Sequence, residues 1–318
     1  MHTFSSSNVV LVGFGYWGKV LCSILLRNNI SISAIFSRDP IKVSDEFYLK
    51  YNSSAGSIPS ILQHSQLSSY LKSKSNSTIF LILACGPIYH FDIIDAVISA
   101  KSCNKINIWL EKPLFVDKRQ ELRFEEMQEK SKKLIVEFYV DYPYVANNIS
   151  EGIGIKDLKL EANNSSMITV SIYSKHFHWR GFDIVYDYMP HFYSIFKSIL
   201  GLDPFELVTA SIISEPSNST EPCRKIIFKL ASGRKVIFDF GKSLRESSIT
   251  MLLDNCYNPL SSLRLMTYSL KDLFGNNPID KNIKLFIAGN IDSSSASLQH
   301  ALDHSLIYQL SNRIIDCS

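Results

Sequence analysis

A chain of 318 residues has room for two ordinary domains, and its 46% hydrophobic and 20% charged content is that of a globular protein with material for two cores. A net charge of +3, dispersed along the chain, excludes a nucleic-acid footprint, since clusters such as Lys130, Lys132 and Lys133 sit among glutamates as a solvated helix face. The longest apolar run, Ile79–Cys85, is far too short to cross a bilayer, the opening MHTFSSSN lacks the apolar core of a signal peptide, and six scattered cysteines without a CxxC pair fit a reduced, cytoplasmic setting.

The first informative stretch is VVLVGFGYWGK. An apolar run (Val9, Val10, Leu11, Val12) enters Gly13-Phe14-Gly15-Tyr16-Trp17-Gly18, and a helical pattern (Val20, Leu21, Ile24, Leu25) follows. This strand, glycine turn and helix form the fingerprint of dinucleotide binding: Gly13 for the tight turn, Gly15 for approach of a pyrophosphate, Gly18 for close packing of helix on strand. The helix N-terminus then offers unpaired N–H groups to the phosphates. Ile30–Phe36 alternates as the next strand. At its end, where an acidic residue would bind the ribose 2′-hydroxyl of NAD, stand Ser37 and Arg38, with Asp39 one position on. A small residue followed by a guanidinium suits a 2′-phosphate, which favours NADP over NAD. The competing reading leaves Arg38 exposed and makes Asp39-Pro40 the cap of the next helix.

Further along, Ile61–Lys72 has a helical pattern, and Ile79–Ala84 reads as a buried parallel strand. Cys85-Gly86-Pro87-Ile88-Tyr89-His90 is the following strand-to-helix loop, at the sheet end where open α/β folds bind ligands. A helix over about 91–100 and a strand at Ile106–Leu110 lead to Glu111-Lys112-Pro113. A helix over 118–133 and a strand at 134–139 complete an alternation that predicts a doubly wound parallel sheet over residues 1–140. Lys112, at the end of a parallel strand, is placed to hydrogen-bond a substrate hydroxyl or the nicotinamide ribose. Taken alone, it also reads as an exposed loop lysine paired with Glu111.

With these residues in view, the chain resembles the glucose–fructose oxidoreductase / inositol dehydrogenase (Gfo/Idh/MocA) family. The likeness rests on the GxGxxG opening ending in Trp-Gly, the loop ACGPIYHFDII and the strand closing on Glu-Lys-Pro. It implies a Rossmann domain followed by a C-terminal α+β domain with an open, mostly antiparallel sheet, here residues 141–318. It also makes Lys112 the catalytic lysine. Cofactor-binding positions are then Gly13, Phe14, Gly15, Tyr16, Trp17, Gly18, Ser37, Arg38, Cys85, Gly86, Pro87, His90, Glu111, Lys112 and Pro113.

In the second half, Ile168–Tyr173 reads as a strand, followed by His176-Phe177-His178-Trp179-Arg180. Asp187 and His191 are one helical turn apart, on a helix expected to begin near Asp187 because Pro190 belongs in a first turn. A histidine with a carboxylate beside it suits proton transfer coupled to hydride transfer, although a cap aspartate and a core histidine would show the same spacing. The resemblance assigns Asp187 and His191 the family's roles, and places Lys112, Tyr139, His178, Trp179, Asp187 and His191 at the substrate. Ser194, the segment 182–186 and Val140-Asp141-Tyr142-Pro143 depart from the family on the substrate side, so the substrate is left as a class. His176 and His178 lack a third ligand, and no metal is expected.

Leu207–Ile213 reads as a strand, and Lys225–Leu230 with Arg234–Phe240 as a hairpin across Ala231-Ser232-Gly233 that places Ile226, Phe228, Leu230, Val236, Phe238 and Phe240 on one face. The partly apolar opposite face, with the resemblance, implies a homodimer or homotetramer. Asn276-Asn277-Pro278 breaks the chain, and 297–315 forms a closing helix. The expected function is NAD(P)-dependent hydride transfer on a sugar, polyol or nucleotide-sugar. Rival readings are an imine or pigment reductase of the same fold, or a dinucleotide-binding regulator without catalysis.

Overall fold

The apolar runs of the first half become strands. β1 (Asn8–Val12), β2 (Ile32–Ser37), β3 (Ser60–Gln63), β4 (Ile79–Leu83), β5 (Ile106–Leu110) and β6 (Val136–Val140) form one sheet in the order β3-β2-β1-β4-β5-β6. Every neighbouring pair is parallel. The structure is a computed structural model that describes residues 8–52, 56–74, 77–100, 105–131, 136–140, 165–174, 184–195, 207–213, 223–242, 248–254, 264–268, 278–289, 307–312 and 314. All five residues of β4 and of β5 are buried, the expected outcome for central parallel strands covered on both faces. Helices α1 (Tyr16–Arg27), α2 (Pro40–Tyr51), α3 (Leu67–Ser73), α4 (His90–Ser99) and α5 (Lys118–Ser131) alternate with these strands. The strand order reverses between β1 and β4, which opens a crevice at their carboxyl ends.

Of two details in this half, one differs from expectation and the other decides between open readings. Residues 61–72 are not one helix. The chain first makes β3, which pairs with β2 from Ala34↔Ser60 to Ser37↔Gln63, then a 3-10 turn at His64–Gln66, then α3. A four-residue, half-exposed edge strand carries too few alternations for period 2 to show in the sequence. Secondly, α2 is started by Asp39, whose Oδ1 accepts the Lys42 N–H at 3.1 Å, with Pro40 in the first turn. The capping role weighed for Asp39 is the one observed.

The second sheet contains β7 (Met167–Ser174), β8 (Leu207–Ile213), β9 (Cys223–Leu230), β10 (Lys235–Lys242), β11 (Ser248–Asp254) and β12 (Arg264–Tyr268), in the order β12-β11-β7-β10-β9-β8. β7 and β10 run parallel, and every other pair is antiparallel. The hairpin of β9 and β10 turns through Gly233 at φ +81°, and Leu230 exchanges backbone hydrogen bonds there with Gly233 and Arg234. Ile226, Phe228, Leu230, Val236, Phe238 and Phe240 are all buried on one face. Helix α6 (Ile184–Ile195) covers that face. Phe192 stacks on Phe228 and Phe238 with centroids 5.0 and 4.4 Å apart, Tyr188 stacks on Phe240, and the Tyr188 hydroxyl donates to the Gly241 carbonyl at 3.2 Å. This packing starts the helix three residues earlier than expected, so Pro190 lies inside it without an N–H to give to the Tyr186 carbonyl. Tyr186 in turn stacks on Tyr308 of the C-terminal segment and donates a hydrogen bond to Asn312.

The chain break expected at Asn276-Asn277-Pro278 is the start of a further helix, α7 (Pro278–Ile287). Its Ile283, Phe286 and Ile287 are buried in the core of the first sheet, where the Phe286 ring meets Phe80, Trp109 and Tyr139 at 5.4, 5.3 and 5.7 Å. By contacts, one unit comprises Met1–Asp141 with Ile279–Ala301, and the other Tyr142–Pro278 with Leu302–Ser318. Helix α7, in the stretch assigned by sequence to the second domain, therefore groups with the first unit, because its apolar stripe completes that core.

Candidate nucleotide-binding site

At the crevice of the first unit the glycine turn has the geometry its chemistry requires. Gly13 has φ +98°, and its N–H donates to the Phe36 carbonyl at 2.8 Å, which locks the turn to the end of β2. A Cβ on Gly18 would lie 2.2 Å from the Gly13 carbonyl oxygen, so the helix approaches the turn as only glycine permits. A Cβ on Gly15 would meet nothing within 4 Å. Gly15 is also the N-cap of α1 and gives its first N–H groups no side-chain partner. Open space beside uncapped helix amides fits a pyrophosphate.

A cavity of about 430 Å³ extends from this turn across the carboxyl ends of β1, β2, β3 and β4. Of the residues expected at the cofactor, it brings together Gly13, Phe14, Gly15, Ser37, Arg38, Cys85 and Gly86. Arg38 lies over the Tyr89 ring at 5.6 Å. Sequence reading missed Lys19, Asp39, Lys42, Glu46, His64 and Tyr89 as lining residues. Lys42 and Glu46 are one turn apart on α2, a spacing visible in the sequence, whereas His64 was hidden inside the mistaken helix. Glu46 is held below the usual carboxylate range by its hydrogen bond from Lys19, 2.6 Å away. Burial pushes the Cys85 thiol up to about 12, so it is no nucleophile at neutral pH.

The other expected residues are not among those that line the cavity. Tyr16 is exposed, and Trp17 packs half-buried against the core. Pro87 and His90 are buried. His90 Nε2 lies 3.1 Å from the Cys85 carbonyl oxygen, a contact that holds the loop. Glu111 is buried with Oε1 accepting from Trp109 Nε1 at 3.4 Å, Lys112 is half-buried, and the Lys112–Pro113 bond is cis. Leu83 and Leu110 are paired across β4 and β5, so Cys85 and Lys112 each stand two residues past the same rung, at the same end of the sheet. Tyr139, expected at the substrate, is instead buried with its ring 4.5 Å from Trp109 and 5.7 Å from Phe286, because β6 turns it into the core.

In the second unit Asp187 and His191 are both half-buried on α6, with the His191 ring edge-on to Tyr188 at 6.5 Å. His178 and Trp179 lie outside the described residues. Among the described residues, no group of three or more His, Cys, Asp or Glu side chains could hold a metal ion, and no helix is long and apolar enough to cross a membrane.

No protein-family model matches the sequence, and no curated protein matches it. Solved structures do match over nearly the full length. The UDP-N-acetylglucosamine 3-dehydrogenase GnnA from Acidithiobacillus ferrooxidans superposes with a TM-score of 0.65 at 12% identity, covering 98% of each chain. The WlbA (WbpB) dehydrogenase from Thermus thermophilus, in complex with NAD and UDP-GlcNAcA, gives 0.62 at 12% identity over 96% of this chain and 94% of that one. The myo-inositol 2-dehydrogenase from Lactobacillus plantarum gives 0.63 at 10% identity over 90% of each. The chain has the fold of these dehydrogenases. The doubly wound parallel sheet followed by a mostly antiparallel one, expected from sequence, is the architecture observed.

Proposed function

We propose that this protein is an NAD(P)-dependent oxidoreductase that moves hydride between a nicotinamide cofactor and a carbinol or carbonyl of a sugar, polyol or nucleotide-sugar. The observation that carries the reading is the glycine turn. Open space beside Gly15, next to uncapped helix amides, begins a cavity that runs on to Ser37 and Arg38. GnnA, WlbA and the inositol dehydrogenase share this fold and act in sugar or polyol chemistry by their names, and WlbA holds NAD.

A dinucleotide would rest its pyrophosphate on Gly15 and the first turn of α1, and its adenosine ribose beside Ser37 and Arg38. The Arg38 guanidinium would pair with a 2′-phosphate, which makes NADP the preferred cofactor. Asp39 is the natural rival for a 2′-hydroxyl, but its Oδ1 is already committed to capping α2. When bound, the cofactor supplies the hydride donor or acceptor. Lys112 hydrogen-bonds the reacting oxygen through its ammonium, and His191 exchanges a proton with that oxygen as the carbon gains or loses hydride. Asp187 orients the His191 ring and stabilises its charged form. His178 and Trp179 are proposed to contact substrate, and the functional form is proposed to be a homodimer or homotetramer in a cytoplasmic setting.

Titration of the full chain with NADPH and NADH, followed by nucleotide fluorescence, tests the cofactor assignment. NADPH should bind more tightly, and Arg38→Ala should lower NADPH affinity by about 10–100-fold, the loss of one charge-assisted pair. His191→Ala should lower turnover on the productive substrate by about 100-fold or more while cofactor affinity holds. Absence of binding by either nucleotide would refute the oxidoreductase reading, and full turnover in the histidine variant would remove His191 from the mechanism.

A further inference from the structure

His64, which no local motif marks, lines the same cavity as Ser37, Arg38 and Lys42. Parallel pairing of β2 with β3 ends at Ser37↔Gln63, and the residues that follow on the two strands, Arg38 and His64, line the same cavity. The His64 Nε2 lies 3.2 Å from the Phe36 carbonyl oxygen, the same oxygen that accepts the Gly13 N–H at 2.8 Å. One carbonyl therefore ties the imidazole to both the end of β2 and the glycine turn. Building on the NADP assignment, we propose that His64 belongs to the 2′-phosphate subsite and takes up a proton when that phosphate binds, so that NADPH affinity, unlike NADH affinity, falls as pH rises through neutrality.

The chemistry follows from the contacts. A carbonyl oxygen only accepts, so Nε2 carries the hydrogen of the neutral ring and Nδ1 is the atom that gains the proton. Burial, as the main influence, holds His64 below the ordinary histidine range. The bond to Phe36 opposes this, and the Arg38 charge adds to it. In the free protein the ring is therefore neutral at pH 7. The other charged or titratable side chains lining the cavity are Lys19 on α1, Asp39, Lys42 and Glu46 around α2, and Cys85 and Tyr89 after β4. Tyr70 of α3, edge-on to Phe36, is pushed up by burial and stays protonated. Both carboxylates of the lining are engaged, Asp39 with the Lys42 N–H and Glu46 with Lys19 Nζ. An arriving phosphate monoester, with a second pKa of about 6, brings close to two negative charges. Set beside His64, it reverses the local field from one that repels a proton to one that holds it. A 2′-hydroxyl brings no charge and leaves the ring neutral.

The sign is then determined. Phosphate binding raises the His64 pKa, so affinity is greatest below the unliganded value and declines towards the liganded one, by at most about tenfold per pH unit for one proton. Protonation of the phosphate itself acts in the opposite direction and only near or below about pH 6.

The experiment is isothermal titration calorimetry of the full chain with NADPH and with NADH between about pH 6.5 and 8, each in PIPES and in Tris, whose different ionisation enthalpies report the protons taken up. The expected result is uptake of up to one proton with NADPH and none with NADH, with the NADPH-to-NADH affinity ratio falling several-fold across that range. In His64→Gln and His64→Asn, each checked for folding by circular dichroism, the proton uptake and the pH dependence of the ratio should both vanish. A pH-independent ratio in the native protein, or uptake retained in both variants, would overturn the role of His64 while leaving dinucleotide binding in place. Binding of neither nucleotide would overturn the oxidoreductase reading and this inference together.

Discussion

Gly18 and Gly15 lie on the same turn and are glycine for opposite reasons. At Gly18 a Cβ would collide with the Gly13 carbonyl in the folded protein itself, whereas at Gly15 it would enter open space. Gly18→Ala should therefore destabilise the chain by about 2–3 kcal/mol, as forced overpacking does, and thermal unfolding would show a lower midpoint. Gly15 has φ −71°, allowed for any residue, so Gly15→Ala should cost at most about 1 kcal/mol as a poorer N-cap. It should still weaken nucleotide binding by at least about tenfold, since the methyl fills the space assigned to the pyrophosphate. Native affinity in Gly15→Ala would mean that no phosphate lies there. Both glycines were legible in the sequence because each need is met by one residue type. His64 was not, because its place beside Arg38 comes from strand pairing rather than from any local motif.

Among the elements, α7 is the one whose importance was least visible. Its sequence PIDKNIKLFI carries the start signal of a proline in the first turn and a stripe of Ile279, Ile283, Phe286 and Ile287, but nothing in it says which core it serves. The structure places Phe286 among Phe80, Trp109 and Tyr139. Phe286→Ala should cost about 3–5 kcal/mol, read by urea unfolding with tryptophan fluorescence as the signal. Leu285, on the exposed side of the same helix, provides the contrast: Leu285→Ala should change stability by no more than about 0.5 kcal/mol. Equal effects at the two positions would refute the packing assigned to α7. The hairpin of β9 and β10 was legible in advance because strict alternation and a Gly233 turn are local signals. β3 escaped because its pairing partner, and not its own four residues, makes it a strand.

At the scale of the molecule, the chain leaves the first unit near Asp141 and re-enters it at Ile279. A ligand held by the first unit stabilises whatever unfolds with that unit, by about 2.7 kcal/mol at a ligand concentration of 100 Kd. Hydrogen exchange with and without NADPH should therefore slow β1, β2 and β4, and should slow α7 in step with them although it follows β12 in the sequence. Exchange in α7 that ignores the nucleotide, while β1 and β4 respond, would separate it from the first core.

The strands and helices other than β3 and α7, the glycine turn and the i, i+4 placement of Asp187 and His191 on one helix were determined by the sequence alone, since each depends on residues near one another in the chain. Tertiary structure decided the rest. Burial turned Tyr139 into the core, packing of Tyr188 and Phe192 on the second sheet carried α6 back to Ile184, and pairing of β3 with β2 brought His64 to Arg38. Those outcomes follow from surfaces that meet only when distant segments fold together, and no window along the chain contains both partners.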